Sequence, residues 1–194
     1  MHCRRRSRPC PSGAVLVQHT TCDPATASRF AALGAARGIA VLDAALSGTP
    51  RDVSAGRLTL RVGGDAGALE RVRPLLDTYA APVLAVGPSG SGQRIKLVNN
   101  ALFVAQVGLA IDAVRLGAEW GLPVEQILPA LEHGSGASRA LSAVGWIGLD
   151  QVAARLAELM LKDVDVLTAV AARSGTELGL LGEVLGSDAV RTSV

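Results

Sequence analysis

Lys96, Asn99 and Asn100 fall within "GQRIKLVNN", residues 92–100. The stretch around them is otherwise apolar and reads as a helix, through Ile95, Leu97, Val98, Ala101, Leu102, Val104 and Ala105. Helical positions i, i+3 and i+4 share a face, so one ammonium and two amides line up on a helix built mostly for burial. Burial favours the neutral form of a lysine, which suits general acid/base work near neutral pH. An amide one turn further on can hold a hydroxyl or carbonyl in line. The set therefore suits proton transfer at an alcohol carbon. A structural reading competes: Lys96 extends to solvent at a helix start, with both amides partly exposed. Spacing alone leaves both readings open.

The elements that must position this face form two blocks. The first alternates strand and helix. "AVLVQHT" (14–20) is β-rich; "DPATASRFAALGAARG" (23–38) has a capping Asp23, Pro24 at the first helical position and Gly38 as a stop. "IAVLDAAL" (39–46) and "RLTLRVGG" (57–64) read as strands, "DAGALERVRPLLDTYA" (65–80) as a helix containing Pro74, and "PVLAVG" (82–87) as a strand. Such alternation predicts an α/β layer over residues 14–90. After "GPSGSG" (87–92) only helices follow, so residues 91–194 are expected to be all-helical. "QRIKLVNNALFVAQVGLAIDAVRLGAEWG" (93–121) predicts one helix of roughly 40 Å, the backbone of a domain or an interface. Further helices are expected at 123–134, 138–145 and 151–175. Residues 1–13 have no periodicity and are expected to be a disordered basic arm.

Composition narrows the function classes. Hydrophobic residues make up 49% of the 194, enough for a sizeable core, while aromatics make up 3%. That excludes a nucleic-acid platform of stacked rings. The formal charge is +2, and without Arg4, Arg5, Arg6 and Arg8 the remainder carries −2. The basic character is thus local to the arm, and a nucleic-acid partner is not expected. Cys3, Cys10 and Cys22 match neither a zinc motif nor a disulfide framework, and no metal is expected. No apolar run of signal-peptide or membrane-span length was found by inspection, so a cytoplasmic protein without a membrane partner is the expectation.

The segment "GSGQRIKLVNN" resembles the catalytic helix of the β-hydroxyacid dehydrogenases, the group of 3-hydroxyisobutyrate and tartronate semialdehyde reductases related to 6-phosphogluconate dehydrogenase. Four more segments agree in order and spacing. "HTTCDP" (19–24) is similar to the family's Ser-Thr-x-x-Pro turn, and "LDAALSGTP" (42–50) to its Asp-Ala-Pro-Val-Ser-Gly-Gly segment. "GRLTLRVGGD" (56–65) is similar to its Gly-Thr-Leu-x-x-Met-Val-Gly-Gly-Asp strand, and "LMLKDVDV" (159–166) to its late Lys-Asp helix. The resemblance implies a partial Rossmann-like nucleotide-binding layer followed by a helical domain like that of 6-phosphogluconate dehydrogenase. It implies hydride transfer from a small 3-hydroxy acid to NAD or NADP. Lys96 matches the general acid/base and Asn100 the amide that orients substrate, with Asn99 beside it. Ser47 and Gly48 match the pair that binds the substrate carboxylate. Thr21 matches a cofactor-contacting threonine, and Lys162 a lysine that closes over cofactor and substrate. The long helix resembles one that forms a homodimer or homotetramer.

The chain also departs from the family. No strand–Gly-x-Gly-x-x-Gly–helix precedes residue 14, so a truncated nucleotide domain with exposed strand edges is expected. "GPSGSG" (87–92) has the look of such a turn, yet the resemblance makes it the hinge into the helical domain. Ala45 stands for the family's proline and Thr49 for its second glycine, where a positive φ would strain a threonine. A non-catalytic oligomeric remnant of the family is therefore the alternative to an active dehydrogenase. "GSGAS" (134–138) resembles a substrate loop, but a turn is the preferred reading.

Overall fold

The computed structural model describes residues 10–156 and 160–191. The four arginines of the basic arm and Cys3 lie outside the described residues. The chain divides into two compact units, residues 1–96 and 97–194. The division falls inside the long helix, beyond the boundary expected near residue 90.

In the first unit, β1 (Val15–Gln18), β2 (Ala40–Ser47), β3 (Leu58–Gly63) and β4 (Ala80–Gly87) form one sheet in chain order. β1 and β2 are parallel and joined by α1 (Pro24–Ala35). β3 and β4 are parallel and joined by α3 (Ala66–Leu76), whereas β2 and β3 are antiparallel and linked through the short helix α2 (Pro50–Ser54). Local chemistry explains the starts. The Asp23 carboxylate accepts from Ala25 N–H at 2.8 Å and Pro24 opens α1; Asp65 accepts from Ala68 N–H at 2.7 Å and opens α3. Gly13, the last residue of the stretch expected as a disordered arm, is held by the sheet unit: its N–H donates to the Gly38 carbonyl.

The core of this unit is aliphatic, as the scarcity of aromatics required. Leu42, Leu60, Val62, Leu69 and Leu76 pack together. Among the described residues β1 pairs with β2 alone, and Leu16 on it is exposed.

In the second unit, α4 (Ser91–Glu119) continues from Leu97 and is followed by α5 (Val124–Glu132), α6 (Arg139–Ile147), α7 (Leu149–Leu156), α8 (Lys162–Ser174), α9 (Gly179–Leu185) and α10 (Asp188–Arg191). Two cores flank α4. Leu97, Ala101, Val104 and Ala105 pack with Val164 and Leu167 of α8; Val107, Ala110 and Ile111 pack with Leu141 and Val144 of α6. Close approach of α5 to α4 depends on Gly117, where a Cβ would sit 2.8 Å from Ile127 Cδ1. Of residues 151–175, expected as one helix, the described parts, 151–156 in α7 and 160–174 in a π-type turn leading into α8, are helical, and residues 157–159 between them lie outside the described residues. Ser138 caps α6 through Leu141 N–H at 3.0 Å, so the "GSGAS" segment does turn and cap. By length and hydropathy α4 alone among the described residues would suffice to cross a membrane, contrary to the expectation that no apolar run is long enough. Its apolar window is 56% buried within the protein, as in a core helix.

Leu60 lies on β3, between β2 and β4, and has no exposed surface. Leu60→Ala should cost about 2–5 kcal/mol, the range for deleting a buried leucine side chain. A lowered urea midpoint with an unchanged slope is the expected readout.

Candidate active site

Asp43 sits in the middle of β2 and is 1% exposed. Its Oδ1 accepts from Gly90 N–H at 2.7 Å and its Oδ2 from Gln93 N–H at 3.0 Å. These N–H groups belong to the start of α4, which no intrahelical carbonyl can satisfy. A negative charge is also favoured there by the helix dipole. Gly92 makes the fit possible: a Cβ on it would lie 2.5 Å from Asp43 O and 2.4 Å from Arg61 O. The sheet thus fixes the first turn of the helix that carries Lys96.

Two consequences follow. First, Asp43 takes the Gly90 N–H of "GPSGSG" and the Gln93 N–H just beyond it, the helix-start donors a cofactor phosphate would need. Second, Lys96 reaches the end of β2, where its Nζ donates to Ser47 Oγ at 3.2 Å. Arg61 on β3 donates from Nη1 to the same oxygen at 2.9 Å. Desolvation holds the Arg61 guanidinium below its usual pKa. All three side chains are half-buried.

Gly48 follows Ser47, with φ +155°, and a Cβ there would lie 2.5 Å from Leu58 Cδ2. The concern over Thr49 is resolved by its φ of −98°. Thr49 caps α2 in a reciprocal box with Asp52, its N–H donating to Asp52 Oδ2 at 2.8 Å.

Thr21 lies on the loop between β1 and α1, half-buried. Gln93 braces that loop from α4. Its Oε1 accepts from Cys22 N–H at 2.9 Å, and its Nε2 donates to the Thr20 carbonyl at 3.2 Å. Gln93 has no exposed surface. Burial pushes the Cys22 thiol up in pKa.

The remaining site residues belong to the second unit. Asn100 is 3% exposed, and its Nδ2 donates to Asp163 Oδ2 at 2.7 Å. A carboxylate only accepts, so this contact fixes which end of the amide faces it. Asn100 Oδ1 in turn accepts from Asn99 Nδ2 at 3.2 Å. Asp163 is itself buried, at the start of α8 beside Lys162, whose side chain is exposed. The structure therefore forms two groups from the expected residues. Lys96 meets Ser47, next to Gly48. Asn99 meets Asn100, which is tied to the start of α8. Thr21 stands on its own braced loop.

Asp43, Gln93, Arg61 and Asp163 are the polar residues that the motif reading left without a site role. Asp163 was visible as the partner in Lys-Asp. Asp43 was visible as a lone acid inside an apolar strand. Gln93 gave no signal, since a glutamine in the first turn of a helix is ordinary. Arg61 had one: it occupies the methionine position of the strand segment quoted above.

Comparison with known proteins agrees with this architecture. Residues 7–87 match the model of the NAD binding domain of 6-phosphogluconate dehydrogenase, and residues 90–186 that of the NAD-binding of NADP-dependent 3-hydroxyisobutyrate dehydrogenase. The chain is 35% identical to the NAD-dependent L-serine dehydrogenase of Pseudomonas aeruginosa over 87% of its own length and 60% of that protein's. It is 32% identical to the 3-hydroxyisobutyrate dehydrogenase of the same organism, over 70% of its own length and 46% of that protein's. The chain thus spans about half of the curated relatives it matches. The Mycobacterium tuberculosis 3-hydroxyisobutyrate dehydrogenase, solved with L-serine, has the same fold at a TM-score of 0.77, with 24% identity over 90% of this chain and 63% of that one. Plasmodium falciparum 6-phosphogluconate dehydrogenase superposes with a TM-score of 0.72 at 17% identity, over 95% of this chain and 43% of that one. A Rossmann-like sheet joined to a helical bundle through one long helix defines the class: an NAD(P)-linked oxidoreductase fold. Within it, the chain belongs to the β-hydroxyacid dehydrogenase family.

That family uses NAD or NADP, and the residues present fit one end of it. The braced loop at the carboxyl end of parallel strand β1 is where open α/β sheets bind ligands, and it presents Thr21. No described residues form a diphosphate cradle: the starts of α1 and α4 are both occupied by aspartate carboxylates.

Removing the Asp43 side chain leaves two helix-start N–H groups without their acceptor. Asp43→Ala should destabilise by about 1–3 kcal/mol and speed hydrogen exchange at the Gly90 and Gln93 amides. Asp43→Asn keeps one acceptor oxygen and should lose less.

Proposed function

We propose that this chain carries the substrate side of an NAD(P)-dependent dehydrogenase acting on a small 3-hydroxy acid, with Lys96 as general acid/base. The observation that carries the reading is the contact of Lys96 Nζ with Ser47 Oγ, at 3.2 Å, on the two segments with the clearest family match. The names of the relatives support it, since those proteins oxidise serine and 3-hydroxyisobutyrate.

In this mechanism Ser47 and the backbone at Gly48 hold the substrate carboxylate. Lys96, in its neutral form, takes the proton of the hydroxyl as its carbon becomes a carbonyl. It returns that proton in the reverse reaction. NAD or NADP, when bound, supplies the hydride acceptor. Thr21 would hold the cofactor at the braced loop. Asn100 orients the alcohol, and Asp163 fixes the rotamer of Asn100. Lys162, exposed at the start of α8, is assigned to closure over the bound molecules.

The second reading, a non-catalytic oligomeric member of the family, is favoured by one observation: the described residues offer no diphosphate cradle. Cofactor binding separates the two. Under the first, Lys96→Ala lowers turnover by at least about 10²-fold, the usual worth of a positioned acid/base, while NAD(P) affinity persists. Under the second, neither cofactor binds and Lys96→Ala changes only stability. Reduced-nicotinamide absorbance and a cofactor titration read both.

Assembly through α4 forms part of the same proposal. Val98, Leu102, Leu109 and Leu116 are each about half exposed, and the last three recur at intervals of seven. Such spacing makes a continuous apolar stripe on a helix, suited to a second copy of the chain. Leu102→Glu combined with Leu109→Glu should convert a dimer or tetramer to monomer in sedimentation equilibrium. An unchanged mass would remove α4 from the interface.

A further inference from the structure

We propose that His19 is a positioning residue for the cofactor, setting the path of the loop that presents Thr21. The inference rests on the reading of Thr21 as a cofactor contact. Pairing between β1 and β2 ends at Gln18, opposite Asp43. One residue on, the His19 side chain takes over. Its Nδ1 lies 2.8 Å from the Ala44 carbonyl oxygen, and its Nε2 lies 3.0 Å from the Tyr79 hydroxyl. A carbonyl oxygen only accepts, so Nδ1 carries the hydrogen. In the neutral ring Nε2 is then the acceptor, and the Tyr79 O–H donates to it. Burial pushes the Tyr79 phenol up in pKa, which keeps that hydrogen in place. The two rings meet edge to face, with centroids 5.8 Å apart. Both are half-buried.

This brace acts from the face of the sheet opposite to Gln93. Successive side chains on a strand alternate between faces. Asp43 faces the start of α4, where it meets Gly90 and Gln93. Ala44, the next residue, turns to the aliphatic cluster of Leu58 and Leu60, against which Tyr79 packs. Residues 19–22 are thus tied on both sides of the end of the sheet. His19 holds to Ala44 and Tyr79 on one side; Cys22 N–H and the Thr20 carbonyl hold to Gln93 on the other. The Thr20 carbonyl is turned toward Gln93, so its trans peptide turns the Thr21 N–H away from Gln93. Thr21 offers that N–H and its hydroxyl, two donors on one residue, to the acceptor oxygens of a nucleotide. Paired donors select an oxygen only when they are held in place, and a loop anchored on one side alone can pivot about that anchor. His19 removes the pivot.

The test is titration of NAD and of NADP into the full chain, followed by calorimetry, with the thermal midpoint of every variant measured alongside. His19→Leu keeps bulk and loses both bonds; it should weaken the tighter-binding nucleotide by about tenfold. His19→Asn can place an amide N–H where Nδ1 was, and should recover part of that loss. Tyr79→Phe should weaken binding by a smaller factor. Combined with His19→Leu it should add nothing, since the pair acts as one brace. Hydrogen exchange at Cys22 N–H should quicken in His19→Leu while the Gly90 and Gln93 amides stay unchanged. A merely structural histidine would lower the midpoint and leave the affinity of the folded chain as it was. A folded His19→Leu chain that binds the nucleotide as tightly as the unaltered chain therefore overturns the role of His19, and leaves the cofactor reading of Thr21 standing. So do losses for His19→Leu and Tyr79→Phe that simply add. Should His19→Leu fail to fold, Tyr79→Phe carries the comparison, and unchanged affinity in it overturns the role. Failure of the unaltered chain to bind either nucleotide overturns the cofactor reading, and the positioning role with it.

Discussion

A buried carboxylate on the second strand holds the start of the long helix. Asp43 gives one oxygen to Gly90 N–H and the other to Gln93 N–H. Burying a charge is expensive unless it is paired or well hydrogen-bonded, and a helix start offers both donors and a favourable dipole. The site in the first unit depends on this contact. With the first turn of α4 fixed, Gln93 can reach back to the Thr20–Cys22 loop, and Lys96 can reach Ser47. Gly63 and Gly92 line the carboxylate because a Cβ at either would press within 3 Å of its oxygens. Of the glycines in "GPSGSG", Gly92 makes room for the aspartate and Gly90 donates its N–H to it.

Much of this was legible in the sequence, for identifiable reasons. The strands and helices of the first unit carried their own start and stop signals: Asp23-Pro24, Asp65, and Gly38. The long helix was readable from an unbroken apolar periodicity. The Lys96–Ser47 contact was legible only through the family resemblance, since nothing in spacing alone joins residues on different elements. Arg61 shows where motif reading stops. In sequence its one signal is that it stands at the methionine position of the family's strand segment, which says nothing of what it faces. Only the register, which sets Arg61 across from Ala45, puts its charge at Ser47.

The two groups of site residues divide the labour of the proposed chemistry. The first unit gathers charge and hydroxyl at the end of β2. The second carries an amide–carboxylate chain, Asn99 to Asn100 to Asp163, in which Asn100 Oδ1 and Asp163 Oδ2 each accept from an amide N–H. Such satisfied polar chains within an apolar core hold rotamers firmly, because any rearrangement strands a buried polar group. Helix α4 carries members of both groups.

The central claim is that this site removes hydrogen from a hydroxy acid. The most direct measurement is isotope transfer. The full chain would be incubated with NAD or NADP and a 3-hydroxy acid deuterated at the carbinol carbon, and the reduced cofactor weighed by mass spectrometry. The account predicts a reduced nicotinamide one mass unit heavier than its unlabelled counterpart, formed by the unaltered chain and not by Lys96→Ala. Absence of labelled cofactor from the unaltered, folded chain with every hydroxy acid offered would contradict it.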